Sequence, residues 1–295
     1  MMYRTAALLA GLVLLTGCQP NLSEVTRSNM RAFQTAEQWP GKSSMPGQLA
    51  NLKTRQIANN IKDPDCRRDE CPSVDVSYYT FPDYPALSEQ LPRAMAAAAG
   101  HSGRRTAINT LPEWMNDFFR RAKGHPDWSA QLTANLLDSY GHLIVMALNS
   151  YEYQGGARGK AITRYANFDI QLHRMATLED MLLPRKKAAL DALVERAYDQ
   201  WARDQGLDQD KHADAISTDN VALLRDTLMI TYQAGEVAPY AMGQINLSLS
   251  YDDLEGILKP GYLPKNVKDD SKKVHFDDPE AQQIQERAQK MSGEK

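Results

Sequence analysis

Three cysteines are the residues of this chain whose type and spacing most directly imply chemistry. Cys18 ends Leu15-Thr16-Gly17-Cys18, which closes a short N-terminal segment with Arg4 near its start and an apolar run from Ala6 to Leu15. That run is too short to cross a bilayer as a permanent helix and has the build of a secretory signal. A Leu-x-Gly-Cys ending is the lipobox of bacterial lipoproteins. The thiol is S-acylated (a palmitate-type modification), the signal is cleaved before it, and the new amino terminus is acylated too. Each buried methylene contributes roughly 0.8 kcal/mol, so several acyl chains hold far better than one. The expectation is a signal peptide over 1–17 and a lipid anchor on Cys18. Gln19 stands where an Asp would mark inner-membrane retention, which favours the outer membrane, facing the periplasm.

Cys66 and Cys71 bracket Arg67-Arg68-Asp69-Glu70. In an oxidising envelope such a pair is expected to form a disulfide. A zinc site would need two further ligands, and no histidine lies near in sequence. The histidines at 101, 125, 142, 173, 212 and 275 do not pair at helical metal spacing, and no His-Glu-x-x-His occurs. No Gly-x-Ser-x-Gly elbow is present either. No catalytic residue, metal ligand or cofactor is therefore assigned. Asp169, on a strand and expected near the glycine loop described next, has two readings. Its carboxylate accepts loop amides and fixes a turn, or it serves a glycan or carboxylate-pair role with Glu179 or Asp180. A glycosidase needs a defined carboxylate separation, which a sequence does not supply.

A different chemistry, that of contact, lies in Gly155-Gly156-Ala157-Arg158-Gly159. Three glycines in five residues call for positive φ or close backbone approach. Tyr151, Tyr153, Tyr165 and Tyr240 could form a partner surface or a sugar-stacking platform, or simply pack a sheet. Arg158 offers a planar donor fork suited to a carboxylate. The expected binding residues are Tyr153, Gly155, Gly156, Arg158, Asp169 and Tyr240.

These residues need elements to position them. Val74, Val76 and Tyr78 alternate with polar residues and predict a strand. Pro85 opens a helix with Leu87, Leu91, Met95 and Ala98 on one face. Thr110 with Glu113 predicts a capped helix start ahead of Trp114, Met115, Phe118 and Phe119. Strands are predicted over 132–137, 143–153 and 161–172. A short turn begins at Thr177 with Asp180, and a longer helix opens at Pro184 and ends at Gly206. Strands over 223–232 and 243–249 and a short helix over 251–258 complete the pattern. With no regular βαβ rhythm, the fold class is α+β, a mainly antiparallel sheet with packed helices in a single domain. Residues 18–63, punctuated by Pro40-Gly41 and Pro46-Gly47, are expected to be a tether, residues 64–262 the domain, and 263–295 a charged, disordered tail.

The formal charge is −3, and loss of Arg4 with the signal takes it to about −4. That balance argues against nucleic acid and against a polybasic membrane surface. The apolar fraction of 42% supports a real core.

Four segments together resemble the RsiV-like domain. Tyr151 to Ala157 is similar to its Tyr-x-Tyr-x-Gly-Gly-Ala-His core, and Asn167-Phe168-Asp169 to its Asn-Phe-Asp strand. Leu178 to Leu182 resembles its Leu-x-Asp-Leu-Phe helix start, and Glu236 to Gly243 its Glu-Ile-Ala-Pro-Tyr-Ala-x-Gly turn. The order and spacing cover about 74–258. The resemblance implies a compact α+β envelope domain that engages a lysozyme-like muramidase, as sensor or inhibitor. The alternatives are a peptidoglycan- or glycan-binding module, or a cell-wall hydrolase with an unrecognised carboxylate site. It does not imply deacetylase activity, which in related proteins belongs to a separate catalytic domain. The family's usual His is Arg158 here. A lipid anchor stands in place of the membrane helix and cytoplasmic segment of RsiV-type anti-sigma factors, so direct sigma-factor control is not expected.

Overall fold

The computed structural model describes residues 52–99, 108–207 and 216–264, all within one compact unit of the chain. Cys18, the expected signal peptide and the tail beyond residue 264 lie outside them. Among the described residues no helix is long and apolar enough to cross a membrane.

Six strands form the main sheet in chain order: β1 (Arg55–Lys62), β2 (Ser73–Thr80), β3 (Ser129–Tyr140), β4 (Leu143–Tyr153), β5 (Lys160–Asp169) and β6 (Arg174–Met175). All neighbours run antiparallel except β2 and β3. The parallel pair needs a crossover, supplied by α1 (Pro85–Ala98) and α2 (Leu111–Arg121). Leu87, Leu91 and Met95 line the buried face of α1. Thr110 caps α2 by accepting the Glu113 amide at 3.3 Å, while the Glu113 carboxylate accepts the Asn109 amide at 3.0 Å. The reciprocal bond of the predicted capping box thus falls one residue earlier than expected.

A second sheet of β7 (Val221–Leu223), β8 (Leu228–Tyr232) and β9 (Ile245–Leu249) contacts β4 and β5 through β7. Against β9 packs α4 (Lys187–Asp204), which follows the short α3 (Leu178–Met181). The run Leu143-Ile144-Val145-Met146-Ala147-Leu148 is buried throughout because β4 has cover on both faces. Ile144, Met146 and Leu148 join the core under α1 and α2. A strand covered on both sides has no reason to alternate.

Side-chain amides stitch the two sheets together. Beyond its short pairing with β6, the outer edge of β5 has no neighbouring strand among the described residues. Gln233 supplies one: its Oε1 accepts the Thr163 amide at 2.9 Å and its Nε2 donates to the Thr163 carbonyl at 2.7 Å. Asn220 accepts the Tyr165 amide at 3.0 Å and donates to the carbonyls of Thr163 and Thr231. Asn167 does the same for β7, donating to the Val221 carbonyl and accepting the Leu223 amide. Gln90 closes β6 by accepting the Met175 amide and donating to the His173 carbonyl. Open sheet edges are sites for wrong pairing, and these amides occupy them.

Several expected boundaries need correction. β1 lies inside the stretch expected to be tether. Only Ile57 and Ile61 are even half-buried in it, so it carries no alternating signal. The strand expected over 223–232 is a hairpin: Leu224 bonds Thr227 across the turn, and Asp138 takes the Arg225 amide and guanidinium. The expected helix over 251–258 is a chain of turns, in which Gly256 at φ +73° interrupts helical continuation. The longer helix starts at Lys187 rather than Pro184, after Arg185 at φ +63°.

Cys66 and Cys71 form a disulfide that closes an exposed loop between β1 and β2. Replacing both by serine should cost about 2 kcal/mol, the chain-entropy value for so short a loop. Urea unfolding of the variant against the oxidised protein measures it. A loss below about 0.5 kcal/mol would mean that the loop is already held by the Asp63 amide bond to the Pro72 carbonyl.

Candidate functional site

The β4–β5 hairpin ends in the glycine loop. Gly155 and Gly156 adopt φ of +83° and +89°, a region that side chains with a Cβ avoid. Gly159 serves differently: a Cβ there would stand 2.3 Å from Cζ of Tyr151, so the glycine lets the backbone pass over that ring. The Tyr153 hydroxyl donates to the Gly156 carbonyl at 3.0 Å and braces the loop from within. Trp128, stacked on His125 at 4.5 Å, lies beneath Gly155.

The Pro239-Tyr240 turn comes to the same end of the molecule. Burial raises the Tyr151 pKa, and the neighbouring hydroxyls of Tyr153 and Tyr240 push it the same way. Tyr240 is 54% exposed, one of two large apolar side chains so open among the described residues. Its backbone is nonetheless fixed. Glu236 accepts the Gln233 amide at 2.7 Å, Gln233 is bonded to Thr163 of β5, and the Tyr198 hydroxyl donates to the Val237 carbonyl. An exposed aromatic on a held turn is pre-organised for contact, because little entropy is lost when it docks.

Five of the six expected binding residues, Tyr153, Gly155, Gly156, Arg158 and Tyr240, therefore share one end. Asp169 does not. Glu152 pairs with Lys160 at the loop end of the hairpin, whereas Leu143 pairs with Asp169 at the other. At about 3.3 Å per residue the two ends are roughly 30 Å apart. Asp169 is 2% exposed. Its Oδ1 accepts the Gln171 and Leu172 amides and its Oδ2 the Tyr262 hydroxyl at 2.7 Å, with His142 Nε2 at 3.4 Å. It is a turn anchor that also holds the C-terminal segment, which corrects its assignment to the binding surface. Asp180, its suggested partner, is held bidentate by Arg174 and caps Thr177. The Arg174 guanidinium keeps the Asp180 carboxyl well below the usual range. Tyr165 is also withdrawn from the surface. Its hydroxyl meets that of Thr231 at 2.7 Å between the sheets, and burial pushes its pKa to about 12. Among the described residues no group of three or more His, Cys, Asp or Glu could hold a metal ion.

An ion-pair network that was not expected lies beside the loop. Arg121 grips Glu152 with both terminal nitrogens at 3.0 Å and reaches Asp117 with Nε at 2.9 Å. Arg120 completes the group on Asp117, and Gln154 donates to Glu152. Next to this network a cleft of about 390 Å³ opens, bounded by Ala99, Ser150, Glu152, Gln154, Arg158 and Ile162 among others. One signal was available: Ser150 and Glu152 continue the buried parity of Ile144, Met146 and Leu148, and polar residues on a buried face need partners.

Two sheets with helices on the outer faces, and a glycine-tyrosine surface at one end, define the class of α+β domain. The sequence profile described as a protein of unknown function, DUF3298, matches residues 179–252. A DUF3298 family protein from Pseudomonas aeruginosa PAO1 is 30% identical, with 72% of this chain and 97% of that one covered and a TM-score of 0.63. A second, from Bacteroides fragilis NCTC 9343, shares the fold at 18% identity and a TM-score of 0.54, over 72% of this chain and 95% of its own. This chain belongs to the DUF3298 family. No curated protein matches it.

Proposed function

We propose that this chain is a lipid-anchored envelope binding protein of RsiV-like type, displayed from the outer membrane toward the periplasm, whose loop end engages a lysozyme-like muramidase as sensor or inhibitor. The observation that carries the reading is the convergence of the Gly155–Gly159 loop, Tyr153 and the exposed Tyr240 on one held surface. The lipobox at Cys18 and the four resembling segments support it from the sequence. Tyrosine gives contact area with few torsions to freeze, and Arg158 gives a fork for a carboxylate on the partner. The same tyrosines would also suit sugar stacking, so sacculus binding is the competing reading.

Binding of the full chain to lysozyme, measured at 50 and 300 mM salt, tests the proposal. An acidic protein meeting a basic one should bind more weakly at the higher salt. Tyr240→Ala should weaken binding by at least tenfold while the melting temperature holds, as expected of an exposed aromatic hot spot. Arg158→Ala should also weaken it. Sedimentation with sacculi in place of lysozyme binding would favour the glycan reading. Unchanged lysozyme binding by both variants would remove this surface from the function.

A further inference from the structure

The cleft beside the glycine loop has a chemistry of its own. In the β4–β5 register Ser150 stands opposite Ile162 and Glu152 opposite Lys160. These residues continue the helix-facing side of the sheet past the point where α1 stops at Ala98. Among the described residues no helix covers the sheet face there, and a cleft lined by Ala99, Ser150, Ile162 and the Arg158 loop opens.

The charges in the cleft do not cancel. Glu152 is neutralised by the bidentate Arg121, and Asp117 by Arg121 and Arg120. What remains is Arg158 and Lys160, neither of which forms an ion pair among the described residues. A concavity whose lining is net positive, on a chain of formal charge −3, is a local field set against the overall one. Ser150 also lines the cleft: it is 8% exposed, and its hydroxyl bonds no described side chain or carbonyl. Lining the cleft, that hydroxyl can donate to a group that enters it.

We infer that this cleft is a carboxylate subsite, in which Ser150, Arg158 and Lys160 take an acidic side chain of the protein partner. The inference rests on the reading that this end of the molecule meets a protein. Arg158 and Lys160 supply charge-assisted donors and Ser150 a third donor from below. Ile162 and Ala99 give an apolar wall for the short aliphatic stem, which a bare inorganic anion would leave unused. The net positive lining disfavours a cationic group.

Amide chemical shifts of the full chain, followed during titration with three small probes, test the subsite. N-acetylglutamate amide carries only a side-chain carboxylate, N-acetylglutamine only an α-carboxylate, and N-acetylglutamine amide neither. The first should shift the amides of Ser150, Gly155, Arg158 and Lys160 saturably in the millimolar range, and the last should not. Arg158→Gln should weaken that binding about tenfold, and Ser150→Ala several-fold, with melting temperatures unchanged. Binding of N-acetylglutamine alone would overturn the side-chain assignment and put a chain terminus in the cleft. Equal shifts with the neutral probe, or intact binding by both variants, would overturn the subsite. The titration contains no muramidase, so its failure is separable from failure of the function proposed above. Lysozyme binding lost with probe binding kept overturns that function alone.

Discussion

Arg121→Ala should destabilise the protein by about 3 kcal/mol, the low end of what removing one member of a buried ion pair costs. The guanidinium is the hub of the network behind the loop. It holds Glu152 at 3.0 Å through two nitrogens and Asp117 at 2.9 Å, and it lies 5.7 Å over the Phe118 ring. Asp117 and Glu152 are 6% and 7% exposed, so neither can recover its hydration without local opening. The two carboxylates would not suffer equally. Asp117 is held by Arg121 through one nitrogen and also meets Arg120, whereas Glu152 takes both terminal nitrogens of Arg121. Glu152 loses two charge-assisted bonds and Asp117 one, so most of the loss falls on Glu152, and Glu152→Gln in the Arg121→Ala background should restore at least half of it. Urea unfolding of wild type, single and double variants measures both steps. A single-variant loss under 1 kcal/mol, or no recovery in the double, would mean that water already solvates Glu152 from the cleft.

Much of the architecture was legible because local rules and tertiary demands coincide. Val74 and Val76 alternate and are buried, Leu87, Leu91 and Met95 recur at helical spacing, and Thr177 forms its capping box with Asp180. The glycine loop was legible for the same reason: positive φ at Gly155 and Gly156 is written in the residue type. What escaped depends on partners distant in sequence. β1 shows no pattern because an exposed edge strand buries almost nothing. The turn at Leu224–Thr227 is fixed by Asp138, which a bulge between Leu136 and Asp138 turns toward it. Asp169 carried the right alternative, a carboxylate accepting turn amides, yet was placed near the glycine loop although the strand expected over 161–172 already carries it to the other end of the hairpin. At the candidate site the tyrosines and glycines were visible, but the Arg121–Glu152 pairing spans two elements and the cleft is lined from β4, β5 and the end of α1 together.

Asn220→Ala is the other substitution with a large expected effect, because one side chain there replaces a whole strand. Asn220 is 7% exposed. Its oxygen accepts the Tyr165 amide at 3.0 Å, and its nitrogen donates to the Thr163 carbonyl at 2.9 Å and the Thr231 carbonyl at 3.0 Å. Alanine removes all three bonds at the junction of the sheets. The Thr163 carbonyl retains Gln233, but the Tyr165 amide and the Thr231 carbonyl lose the partner that Asn220 gave them. A buried group left unsatisfied costs about 1–3 kcal/mol, so a loss of about 3 kcal/mol is expected, less if a water enters the space. Asn220→Asp separates the hydrogen bonds from the volume. It keeps the shape and the acceptor for Tyr165 but sets a carboxylate oxygen against two carbonyls. At neutral pH it should be at least as damaging as alanine. Repulsion and burial raise the pKa of such a carboxyl, so its deficit relative to wild type at the same pH should shrink as the pH falls and the acid becomes a donor. Denaturant unfolding at pH 7 and pH 5 reads both effects. If alanine costs less than 1 kcal/mol, and aspartate behaves like asparagine at pH 7, the amide is incidental and β5 is held to the second sheet by apolar packing alone.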